Sequence, residues 1–286
     1  MKVIDMHCDT MKAILDNRDI GKNINLKNNN LTVDIEKMKQ GDYMLQVFAA
    51  YTDIKEGDSL VNALRTIDLF HNEVEANKDD IGIVLTYNDI LKNIEQNKMS
   101  ALLSIEEGAC CKGNIQLLRN FYRLGVRMMT LTWNYENELG FPNEIIDDKL
   151  VLDRGLKKSG FEFIEEMENL GIIIDVSHLS DAGFYDILNN TKKPFVASHY
   201  NQRSICGHRR NMTDDMIKKL AEFDKNARKK IYSKRYRGVL LYHLKSKNII
   251  NAFKVYIKMI KYIPIMFNKD IIVYICYRLI NKDICN

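Results

Sequence analysis

Cysteine is scarce and unpatterned in this chain: six in 286 residues (Cys8, Cys110, Cys111, Cys206, Cys276, Cys285), with no C-x-x-C pair. So few thiols at such uneven spacing exclude a disulfide framework for a chain this long. No basic segment followed by an apolar run and a small-residue cleavage site opens the sequence. Nothing therefore marks it for secretion, and a reduced, cytoplasmic setting is the expectation. No apolar run approaches the roughly 20 residues of a spanning helix, so no transmembrane segment is expected. Internal repeats and low-complexity tracts are missing before residue 224. What is present is a 46% hydrophobic content, enough to bury the core of one large α/β domain or two small ones.

The net charge of +4 conceals two compositions. Residues 225–286 hold 15 Lys and Arg against Asp270 and Asp283, a net of +13, while residues 1–224 carry 27 bases and 36 acids, a net of −9. The basic part has one of the 14 glycines, Gly238, and seven of the 14 tyrosines. The division expected is 1–223 and 224–286.

Up to about residue 222, short apolar runs alternate with longer amphipathic stretches, the pattern of repeated βα units. The expected strands are KVIDMHCD, YMLQVFAAY, ALLSIEE, RMMTLTW, GIIIDVSH and PFVASH. SLVNALRTIDLFHNEVEAN has a helical apolar period at Leu60, Leu64, Ile67 and Val74, and NDILKNIEQNK is a shorter example. DRGLKKSGFEFIEEMENLG ends at Gly171, a C-cap residue, and MTDDMIKKLAEF opens with Thr213 as N-cap. Strands separated by helices predict a mostly parallel sheet, open or closed into a barrel.

Metal-capable side chains fall at the C-terminal ends of these strands: His7 and Asp9 on the first, Glu106 and Glu107 on the third, His178 on the fifth, His199 on the sixth. In barrels and open α/β sheets that face is where sites form. Period-two alternation puts Asp5, His7 and Asp9 on one side and Cys8 on the other. Three imidazoles and two carboxylates suit zinc or a similar divalent ion. They exceed what one open catalytic zinc needs, and a two-metal site with a bridging carboxylate accounts for the surplus. Any one such histidine alone reads more readily as a hydrogen-bonded loop residue; the pattern carries the argument. His71, within a helical stretch, and His243, in the basic part, read as structural. Asp175, three residues before His178, falls by parity on the opposite face, which argues against a supporting role.

VIDMHCDT, ALLSIEEGA, VRMMTLTWN, IIIDVSHLSD and PFVASHYNQRSICGHRRNMTDD together resemble the membrane (renal) dipeptidase family of zinc metallopeptidases, in order and over about residues 1–222. The resemblance implies a (β/α)8 TIM-barrel fold with two Zn2+ ions that hydrolyses dipeptides. His7 and Asp9 would hold one zinc, His178 and His199 the other, and Glu106 would bridge them and orient the hydroxide between the metals. Arg210 would bind the substrate's terminal carboxylate, with Trp133 and Asn134 beside the substrate. A metal-activated hydroxide needs no serine or cysteine nucleophile, so Cys8 and the Cys110–Cys111 pair read as structural. The partner implied is a dipeptide; nucleic acid is not expected, and self-association stays open.

Two departures from the family pattern stand out. Trp133 occupies a position where many members carry histidine. After the helix containing Met216 to Phe223, neither a GGVIGIN-like strand nor a GSDFDG-like loop follows. The barrel is therefore expected to lack its seventh and eighth strands, leaving sheet edges uncovered. For residues 224–286 three readings stand: a basic aromatic module for nucleic acid, a surface for anionic membranes, or the product of a shifted reading frame. The Ile, Lys, Tyr and Asn bias, and a break inside a motif series, favour the last.

Overall fold

The computed structural model describes residues 2–146 and 149–223; the basic segment 224–286, with the readings offered for it, lies outside them. The elements run β1 (Val3–Asp5), α1 (Thr10–Asp19), α2 (Ile35–Gln40), β2 (Tyr43–Tyr51), α3 (Ser59–Ala76), β3 (Ile81–Ile83), α4 (Tyr87–Glu95), β4 (Met99–Glu106), α5 (Ile115–Arg123), β5 (Val126–Thr130), β6 (Glu144–Ile146), β7 (Lys149–Val151), α6 (Lys158–Leu170), β8 (Ile173–Asp175) and α7 (Asp181–Asn190), followed by helical residues 214–223. Six strands form one parallel sheet in the order β1-β2-β4-β5-β8, with β3 also on β4, and curl into half of a barrel. The α/β-barrel expectation holds for the described residues. No further strand follows β8 among them.

β4 is the centre. All eight of its residues are buried, as a strand flanked on both edges and covered on both faces requires. It pairs with β2 along Ser100–Glu106; its other edge takes β3 at Met99–Ala101 and β5 at Leu103–Glu106. Alternation then sorts the faces. Leu45, Val47, Leu102 and Met128 pack together on the inner face, while Phe48, on the opposite parity, meets Phe70 of α3. Glu106 shares the parity of Leu102, so it tops the inner apolar stack.

Three expectations change. β3 and the β6–β7 hairpin are additional, both three-residue strands too short to carry a periodic signal. PFVASH contributes one parallel bridge, Val196 to Asp175, rather than a strand. β1 stops at Asp5 because its carboxylate accepts the His7 N–H at 3.1 Å and turns the chain there. Pairing resumes at Cys8, whose N–H and carbonyl bond Val47 and Ala49 of β2. The helices hold more closely: Gly171 caps α6 in the left-handed region at φ 84°, and Thr213 Oγ1 accepts the Met216 N–H. In α3, Ile67 and Val74 are buried, but Leu64 is exposed and Ala63, Thr66 and Phe70 complete the packed face.

Candidate metal centre

His7, Asp9, Glu106, His178 and His199 converge at the C-terminal rim of the sheet. Glu106 is at the middle, 3% exposed, and its two oxygens face different neighbours. Oε2 lies 3.1 Å from His7 Nε2. Oε1 lies 3.0 Å from His178 Nε2 and 3.3 Å from His199 Nε2. Asp9 adds an oxygen 3.2 Å from His7 Nε2. The His7 and His199 rings stack at 4.0 Å, and His178 Nε2 is 3.0 Å from His199 Nε2.

His7 and Asp9 come from the loop between β1 and α1, not from the strand, so alternation is not what aligns them. Asp9 is the N-cap residue of α1 yet makes no side-chain capping bond; its carboxylate turns to His7 instead. His178 follows β8 in a turn, with φ 66°, a left-handed backbone rarely adopted by a side-chain-bearing residue. Beside Glu106, Glu107 also has a positive φ, 86°. Two such residues at one rim are the kind of local strain that surrounding bonds sustain at sites. Glu107 faces away: its carboxylate accepts the N–H groups of Ala109 and Trp133 at 3.0 Å and the Asn137 amide.

Electrostatics follow from the packing. Burial works against charge on His7, but the Asp9 and Glu106 carboxylates outweigh it and lift its pKa to about 10. Burial likewise opposes the Glu106 carboxylate, and the ring nitrogens of His178, His199 and His7 that face it more than reverse this, holding it well below the usual range. For His178, burial prevails over Glu106 and favours the neutral ring. Burial raises Glu107 and pushes the Cys8 thiol up to about 12, which leaves Cys8 a core residue rather than a nucleophile.

The donors fit a metal ion. Two ligand atoms each about 2.0 to 2.1 Å from a tetrahedral ion are about 3.3 Å apart, close to the 3.0 to 3.3 Å separations found between Glu106 and the three histidines. Two imidazole Nε2 atoms at 3.0 Å cannot both offer lone pairs to each other; a shared cation resolves that contact. His7, Glu106 and His199 also form a compact triplet by themselves.

Arg210 donates from Nη2 to the His199 carbonyl at 3.2 Å, and its buried Nε finds no partner among the described residues. Its loop is anchored by Arg203, which forks onto Asp181 at 2.6 and 2.7 Å, and by Asn143. Trp133 stands 6.2 Å from the His178 ring and edge-on to Tyr51. Asn134 turns its Oδ1 to His178 Nδ1 at 3.3 Å, so it supports a histidine.

Sequence reasoning placed Asp175 on the wrong face. Glu106, Thr130 and Asp175 are successive register partners across β4, β5 and β8, hence on one face. The parity count from His178 fails because His178 is already beyond the strand. Asp175 is fully buried and bonds Ser198, which contacts His199. Each of Ser177 and Ser198 immediately precedes a histidine of the cluster, and that adjacency was the available signal.

Parallel strands whose C-terminal rim gathers imidazoles and carboxylates define an α/β-barrel metalloprotein by class. The family profile described as membrane dipeptidase (peptidase family M19) matches residues 1–225, and the chain belongs to that family. Among curated relatives, an uncharacterised dipeptidase of Schizosaccharomyces pombe is 31% identical over 65% of this chain and 48% of its own length. Dipeptidase 3 of Mus musculus is 30% identical over 70% of this chain and 40% of its own. The chain thus spans about half the length, or less, of these relatives. A metallopeptidase structure from Rhodobacter sphaeroides, liganded with a phosphinate mimic of the dipeptide L-Ala-D-Ala, superposes with a TM-score of 0.71 at 21% identity, over 78% of this chain and 72% of that one. The likeness extends to the fold.

Proposed function

We propose that the chain is a zinc-dependent dipeptidase with two metal ions, His7 and Asp9 on one, His178 and His199 on the other, and Glu106 between them. The observation that carries this reading is the division of the Glu106 carboxylate, one oxygen toward His7 and the other toward His178 and His199. Family membership and the dipeptidase relatives support the substrate class. When bound, the ions would activate water as nucleophile and polarise the scissile carbonyl.

The chain's own residues then orient the substrate. Arg210, whose buried Nε has no partner among the described residues, is suited to grip a terminal carboxylate through its planar donors. Trp133 and Tyr51 form an aromatic wall at the same rim. Glu107 holds the Trp133 backbone, and so sets where that wall stands.

Elemental analysis and a dipeptide panel on the full chain test this. Two zinc equivalents and dipeptide hydrolysis are expected. His178→Ala should lose one equivalent, and Glu106→Gln at least one, since an amide offers one acceptor oxygen where the carboxylate offers two. A wild-type chain that takes up no divalent metal, or whose uptake ignores both substitutions, would sink the reading. Hydrolysis of other amides but not dipeptides would keep the centre and change the substrate.

A further inference from the structure

Ser198 stands between the histidine cluster and a buried carboxylate. We infer that Asp175, acting through Ser198, is a positioning residue that keeps the His199 proton on Nδ1 and leaves Nε2 free to bind a metal ion. This rests on the metal-centre reading above.

Asp175 is fully buried and accepts four hydrogen bonds. Its Oδ1 takes the N–H groups of Ser177 and Ser198, each at 3.0 Å; its Oδ2 takes the Thr130 hydroxyl at 3.0 Å and the Ser198 hydroxyl at 2.5 Å. With four donors aimed at it, the carboxyl group acts only as acceptor, so the single hydroxyl proton of Ser198 is committed to it. Ser198 Oγ then has only lone pairs left. One faces Ser177 Oγ at 3.1 Å, which itself accepts the His199 N–H at 3.3 Å. The other faces His199 Nδ1 at 2.7 Å. A lone pair that close to a ring nitrogen requires the nitrogen to carry the proton.

The reverse arrangement, with Ser198 donating to Nδ1, would surrender the hydrogen bond to the carboxylate. A bond to a charged acceptor is about twice as strong as one between neutral groups, so the carboxylate decides the direction. His199 Nε2, 3.3 Å from Glu106 Oε1, is then the atom turned to the cluster with its lone pair available. This is the logic by which a carboxylate fixes a metal-bound histidine, here with a hydroxyl interposed. His178 is held by the neutral Asn134 Oδ1 at the longer distance of 3.3 Å. The two histidines proposed for one ion are therefore secured unequally, and loss of the Ser198 hydroxyl should weaken that ion alone.

Imidazole nitrogen NMR on the full chain at about pH 8, where a free histidine is neutral, reads the proton directly. Zinc titration against a competing chelator reads its consequence. The His199 Nδ1 should bear a proton in the wild type and in Ser198→Thr, which keeps the hydroxyl, but not consistently in Ser198→Ala. One of two zinc equivalents should bind roughly 10- to 100-fold more weakly in Ser198→Ala, the other should be unchanged, and Ser198→Thr should hold both at wild-type affinity. Asp175→Asn should give the same pattern if it folds; the serine pair decides if it does not. An unprotonated wild-type Nδ1 would overturn the inference. So would Ser198→Ala with wild-type zinc affinity, or with both equivalents weakened alike and near-UV circular dichroism lost, which marks a packing role. Should the wild type bind no zinc, the two-metal reading fails, while the nitrogen spectra of the serine variants still decide where the proton sits.

Discussion

Asp34 caps α2: its carboxylate accepts the Lys37 N–H at 2.7 Å and the Asn29 N–H at 3.0 Å, with the Lys37 ammonium at 2.7 Å. Burial opposes its charge, but these partners prevail and hold its pKa below the usual value. A carboxyl lowered on folding contributes stability above its unfolded pKa, and that contribution disappears as the pH falls through the lower, folded value. Asp34→Asn keeps the capping acceptor and removes the charge. It should cost about 0.5 to 1 kcal/mol at neutral pH, and the difference should shrink as the pH falls out of the usual carboxylate range and disappear through the lowered folded value. Urea unfolding of both proteins across this range checks it, and a pH-independent gap would mean that the ion pair contributes nothing.

Among the elements, α6 is positioned by a glycine that its amphipathic pattern does not explain. A Cβ at Gly160 would overlap the Leu139 carbonyl oxygen, which is backbone and cannot rotate away. The helix thus packs directly on the loop that Asn137 organises, where the Asn137 side chain bonds Leu131 O, the Leu139 and Gly140 N–H groups, and Glu107. Gly160→Ala should destabilise by about 1 to 3 kcal/mol, despite alanine's better helix propensity. Gly171→Ala tests a different cause, since only its φ of 84° is at stake and nothing lies within 4 Å. Thermal unfolding that leaves Gly160→Ala at the wild-type midpoint would show that the loop shifts freely.

At the scale of the molecule, the cluster joins four separate stretches: the β1–α1 loop, the end of β4, the turn after β8, and the segment around His199. An ion bound there ties them together in the folded chain alone, so zinc should raise the unfolding temperature. At free metal about 100-fold above the dissociation constant, each ion adds about 2.7 kcal/mol. For a unit this size that shifts the midpoint by roughly 5 to 10 °C. Chelation should reverse the shift, and calorimetry showing no response in the full chain would separate these stretches from any shared ion.

The alternation of βα units and the placing of metal-capable side chains at strand ends are legible in the amino-acid sequence, because apolar runs and the polar residues that close them are local properties that a short window records. The choice of Glu106 over Glu107 comes from the family motif, and the register of β4 with β2 and β5 is what puts Glu106 on the inner face. Tertiary structure decided the rest. His7 and Asp9 meet because Asp5 turns the chain, not because a strand aligns them. Asp175 reaches the cluster because β5 and β8 bring it into register with Glu106, and because Ser198 arrives from a segment that joins β8 by a single bridge. Contacts of that kind depend on which edges pair, and no window of sequence contains both sides of them.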